Sequence, residues 1–133
     1  MYKWIIVLAS FCLFSCAAKQ EKSNPQDDIE TAQVFLQAFN SGNYEWCNNF
    51  MVKNPSNDSL LKSQLAIFEN KTATQKKEIS ESSIVIHNRE EITPTQTIIT
   101  YNTSVNKTIH KLKLMNTNGK WLVDFNYTFN GNL

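Results

Sequence analysis

Asn118-Gly119 is the feature that most restricts how this chain can fold. It stands between two runs of alternating character, about 108–116 and 120–129. Asn-Gly is the pair that best tolerates the left-handed backbone of a two-residue hairpin turn. Closing that turn pairs Thr117 with Lys120 and fixes every other pair in the hairpin. Leu114 then faces Val123, Leu112 faces Phe125 and His110 faces Tyr127, with Trp121 on the same side. The other side pairs Lys113 with Asp124 and Lys111 with Asn126. Slipping by one residue would move the whole apolar set to the other face, so side-chain character and turn chemistry demand the same register.

The same two-residue period extends upstream, with β-branched and aromatic residues at 78–88 and 95–104. A turn at Val105-Asn106 or Asn106-Lys107 places Ile99 and Tyr101 on the apolar face, and Ile84 and Ile86 complete it. The polar stretch Arg89 to Pro94 reads as a connection, and Glu90 and Glu91 within it as solvated charge. Before residue 76 the period is helical. Ile29, Ala32, Phe35, Leu36 and Phe39 form one stripe over 28–40, with Asp27 or Asp28 as cap and Ser41-Gly42 as the stop. Asn43 can cap a second helix, Tyr44 to Met51, that buries Trp46, Cys47 and Phe50. After a break at Pro55 to Asp58, a third helix over 59–70 carries Leu60, Leu61, Leu65 and Phe68. The expected fold is α+β: three N-terminal helices packed on a curved four-stranded antiparallel sheet, one domain over 28–129 with a short tail at 130–133.

Upstream of the domain the chain changes character. Met1-Tyr2-Lys3 precedes an apolar run from Trp4 to Phe14, too short to span a bilayer, which needs about 20 residues. The run closes on Leu13-Phe14-Ser15-Cys16, which resembles the lipobox of bacterial lipoproteins. That resemblance implies a signal peptide over 1–15 and a lipidated Cys16 as first mature residue. Residues 16–27 then form the anchor and a polar tether. Two or more acyl chains hold a protein on a membrane stably, where one does so marginally. Ala17 rather than aspartate after the cysteine resembles outer-membrane lipoproteins.

Charge and cysteine usage exclude several classes. The chain has 13 basic and 12 acidic residues, and Lys3 lies in the leader, so the mature protein is neutral. It lacks the basic surplus that nucleic-acid binding requires. Cys12 leaves with the leader and Cys16 takes lipid, so Cys47 alone remains and no intrachain disulfide can form. Cys47, beside Trp46, reads as a small buried hydrophobe. No cysteine or histidine pair has zinc-ligand spacing, and glycines at only 42, 119 and 131 make no phosphate loop. No cofactor is expected.

Three local patterns carry a family likeness: Val34-Phe35-Leu36 in the first helix, Gly42-Asn43-Tyr44 at the step into the second, and the closing Asn118-Gly119-Lys120-Trp121-Leu122-Val123-Asp124. Together they resemble small lipoproteins of the nuclear-transport-factor-2-like superfamily, which also holds ketosteroid-isomerase-like enzymes. The likeness covers about residues 28–125 and implies a cone with a pocket; it implies no reaction, because sites are grafted on folds. Isomerase-type chemistry needs a carboxylate on the inner sheet face, and the register places none there. His110 is the most interesting group on that face, with Tyr127 opposite and Tyr101 and Thr103 near it. These four could line a pocket mouth; they equally suit the polar end of a sheet. His87 falls on the outer face beside Val85. Two functions compete: a tethered, non-catalytic module binding an envelope protein or a small apolar ligand, and an isomerase- or hydratase-like enzyme with His110 as acid–base and Tyr101 or Tyr127 as donor. A purely accessory role in an envelope complex is a third.

Overall fold

The hairpin closes as Asn-Gly requires. Asn118 and Gly119 both take positive φ, 53° and 81°, and Thr117–Lys120, Leu114–Val123 and Lys113–Asp124 are paired. The computed structural model describes residues 24–129. The leader, Cys16 and the tail at 130–133 lie outside the described residues. The elements are α1 (Asp28–Asn40), α2 (Tyr44–Asn48), α3 (Pro55–Glu69), α4 (Ala73–Ser80), β1 (Ile84–Thr93), β2 (Gln96–Thr103), β3 (His110–Thr117), β4 (Lys120–Asp124) and α5 (Phe125–Phe129). The class is α+β, with an open antiparallel meander in the order β1-β2-β3-β4.

The first helix and the inner sheet face make the core. Asp27 caps α1, its side chain accepting from Glu30 N at 2.8 Å, and Gly42 leaves the helix at φ 72°. Ala32, Phe35 and Leu36 are buried on α1; Ile99, Leu112, Leu114 and Val123 are buried on the sheet, with Ile84, Ile86 and Trp121 packed at the margin. Phe125 closes the layer, its ring 5.5 Å from Phe35 and 5.4 Å from Phe39. Each such side chain contributes about 1.5–3 kcal/mol on full burial.

The last strand is shorter than its alternation predicts. It ends at Asp124, and Phe125–Phe129 turn into α5. The expected pairs Leu112–Phe125, Lys111–Asn126 and His110–Tyr127 are therefore not made in the ladder, which runs from Thr117–Lys120 to Lys113–Asp124. Long-range partners outbid the strand pattern. Asn126 N donates to the buried Asn57 Oδ1 at 2.6 Å, and Thr128 Oγ1 donates to Lys111 O at 2.8 Å, satisfying a carbonyl that a longer β4 would have met.

Among the described residues four helices precede the sheet instead of three. Pro55 starts α3 where a break was expected, because proline suits the first helical position. Asn54 caps it, accepting from Asn57 N at 2.8 Å. Helix α4 occupies residues expected to open the first strand. Its N-terminus is set by a capping box, Thr72 with Gln75. Helix α2 stops at Asn48, and Met51 goes on to bridge Val123 in parallel. Strand β1 includes Arg89 to Thr93, the expected connection, and the turn moves to Pro94-Thr95. A bulge at His87 shifts the pairing, so Arg89 sits opposite Ile99 on the inner face. Strand β3 begins at His110, not near 108; residues 104–109 form a loop, although Tyr101 still pairs with His110 as a turn at Val105-Asn106 demands.

Asn57 is the polar pin of the helical layer. It is fully buried, donates to Val52 O at 2.9 Å and accepts from Asn126 N. Asn57→Ala strands a part-buried carbonyl and a part-buried N–H, so unfolding free energy should fall by about 1–3 kcal/mol in urea denaturation. A loss below about 0.5 kcal/mol, the level of an ordinary surface change, would contradict that role.

Candidate functional site

Two of the four inner-face candidates meet. Tyr101 and His110 are ladder partners at one end of β2 and β3, with ring centroids 5.7 Å apart at 36°. Tyr101 is 8% exposed, and burial pushes its phenol up to about 12. Thr103 lies two residues along the same face, but its Oγ1 already accepts from Asn106 N at 3.0 Å and its N–H donates to Asn106 O at 3.0 Å. Its side chain holds the 104–109 loop. Tyr127 is not a ladder partner of His110. It rides on α5, and the Lys113 ammonium lies 5.7 Å from its ring on the outer side of the sheet.

The inner side does hold a carboxylate, contrary to the register argument. The buried one comes from α1; the bulge also turns the exposed Glu91 of β1, opposite Thr97, to this face. Asp28 is 3% exposed, its Oδ2 accepts from Arg89 Nε at 2.8 Å and its Oδ1 from Ile29 N at 2.9 Å. Arg89 also reaches Glu91 with Nη1 at 3.6 Å, so Glu91 takes part in an ion pair. Both Asp28 oxygens are committed, which makes this pair a clamp between α1 and β1. Its signal in the sequence was the arginine in a strand, readable only once the bulge at His87 is known. His87 itself is exposed.

Two surface grooves are lined by other residues. One, about 310 Å³, lies between Tyr44, Asn48, Asp58, Leu61, Lys62 and Leu65. The other, about 340 Å³, is walled by Asn24, Pro25 and Gln26 on one side and by Phe50, Gly119, Lys120 and Trp121 on the other. Both volumes sit at the low end for small-molecule sites. Tyr101, Thr103, His110 and Tyr127 line neither.

Cys47 is buried, its thiol donates to Phe35 O at 3.6 Å, and burial pushes it up to about 12, which suits a packing residue and not a nucleophile. Tyr44 is likewise pushed up to about 12, first by burial and then by Cys47 and Glu69. Among the described residues no group of three or more His, Cys, Asp or Glu could hold a metal ion, and no helix is long and apolar enough to cross a membrane. Compared with protein-family models and with curated proteins, the chain finds no match.

The buried phenol sets an alkaline limit. Tyr101 has a folded value of about 12 against 10.0 in the unfolded chain, so its neutral form is the one the fold favours. That stability is complete below pH 10.0 and is lost as pH rises toward about 12. Near-UV circular dichroism should show the folded signal falling across that window, with a shallower fall in Tyr101→Phe. An identical fall in both proteins would assign the alkaline transition to other groups.

Proposed function

We propose that this chain is a lipid-anchored bacterial envelope lipoprotein, seated in the outer membrane, whose domain is a non-catalytic binding or accessory module of the nuclear-transport-factor-2-like cone kind. The observation that carries the non-catalytic part is the packing of the inner sheet face. Where a cone domain would hold a ligand, the rings of Phe35, Phe39 and Phe125 meet one another over Ile99, Leu112 and Leu114. The buried carboxylate that isomerase-type chemistry would need is occupied by Arg89. His110 has Tyr101, one of the two expected donors, beside it, while Tyr127 stands on another element. The anchor rests on Leu13-Phe14-Ser15-Cys16 and on the polar stretch that follows it.

In an expressing bacterium, Cys16→Ser should abolish incorporation of an alkyne fatty acid and shift the protein out of the membrane fraction. Labelling that persists in Cys16→Ser would refute the anchor. Cross-linking at the envelope should recover the same partners with His110→Ala as with the unaltered protein. A partner or bound ligand lost only in His110→Ala would turn the reading toward a site at the Tyr101–His110 pair.

A further inference from the structure

The length of the tether decides which end of the domain can face a bilayer. Asn24 stands eight positions beyond Cys16, a reach of at most about 28 Å. A domain of this size is about 30 Å across, so the tether is shorter than the domain is wide. The end where the chain leaves is therefore held toward the headgroups.

That end is the second groove. Asn24, Pro25 and Gln26 form one wall, and the hairpin tip and Phe50 form the other. Trp46 meets Phe50 edge-on at 5.2 Å, and the Lys120 ammonium lies 5.9 Å from the Phe50 ring. Trp121 is half-buried and Lys120 exposed, and the tip is open, with nothing within 4 Å of where a Cβ on Gly119 would stand. Tryptophan beside lysine suits the headgroup layer, where an indole has an apolar body and a polar N–H and a lysine can lay its stem on apolar surface. Two acids lie beside this wall: the exposed Asp27 follows Gln26 in the chain, and Glu30 accepts from Gln26 N at 2.7 Å. The loop at 104–109 competes in apolar character, since Val105 and Ile109 are each 45% exposed. It lies at the other end of the eight-residue β3, about 26 Å away, so the tether disfavours it.

We propose that the tether-exit end, formed by the hairpin tip with Lys120 and Trp121, rests on the phospholipid headgroup surface. The proposal rests on the lipid-anchored reading above. The test uses the full chain, processed in a bacterial host, purified from membranes and reconstituted into phosphatidylcholine–phosphatidylglycerol vesicles, with Cys16 acylation read by mass spectrometry. An environment-sensitive maleimide probe is placed at Thr117→Cys on the tip, or at Lys107→Cys on the far loop. Acylated Cys16 cannot react, and Cys47 is buried. Thr117 and Lys107 are both exposed, so neither substitution disturbs the core. The tip probe should shift to the blue and be quenched by spin-labelled lipid, while the loop probe stays water-like. Acylated protein with a water-like tip probe, or with the loop probe quenched in its place, overturns the docking surface and leaves the anchor standing. Protein without acyl chains on Cys16 overturns both.

Discussion

Val123 is the residue on which the rest of the structure depends. On one side it pairs with Leu114 in the ladder; on the other its N–H donates to Phe50 O at 2.7 Å and its carbonyl accepts from Val52 N at 2.9 Å. Its side chain is fully buried. An unpaired sheet edge is a liability, and here a short parallel segment covers it. That contact ties the segment after α2 to the sheet and brings Phe50 beside Lys120 and Trp121. One residue past Asp124 the chain can turn into the core as Phe125.

Two buried polar arrangements then orient the helices. Asn57 binds the segment before α3 to the start of α5 through Val52 and Asn126. Asp28 and Arg89 join the first helix to the edge strand. A charge pair of this kind contributes modestly to net stability, because desolvation offsets much of its attraction, but leaving either partner alone is costly. Its larger effect is geometric: a carboxylate at the start of α1 and a guanidinium on β1 admit few relative placements. Among the described residues, Thr97 Oγ1 is a side-chain atom buried on the inner face without a partner.

The same packing shapes the functional reading. A sheet face filled by aromatic rings leaves little room for a substrate over its centre. The two ends of β3 differ in kind. One joins the hairpin tip to the point where the chain leads back to Cys16; the other carries Tyr101, His110 and the 104–109 loop. On the proposed anchored reading, a short tether would give that difference a function, with the first end toward the membrane and the second away from it.

The hairpin, the inner-face residues Ile99, Tyr101, Leu112 and Leu114, and the span and cap of α1 were legible in the sequence, because each depends on local chemistry. A positive-φ turn, a two-residue period and a capped helical stripe are written within ten or so residues. Helix α5 was not legible. Phe-Asn-Tyr-Thr-Phe has β character, and it turns because Asn57, Lys111 and Phe35, distant in the chain, offer better partners. The charged half of β1 was hidden too, since only the bulge at His87 puts Arg89 opposite Ile99 and within reach of Asp28. Local propensity determined which segments could be helix or strand. Tertiary contacts decided where β4 stops, which face Arg89 occupies and that Tyr127 stands on α5 and not in the ladder, because those choices turn on satisfying buried backbone and charge across the fold.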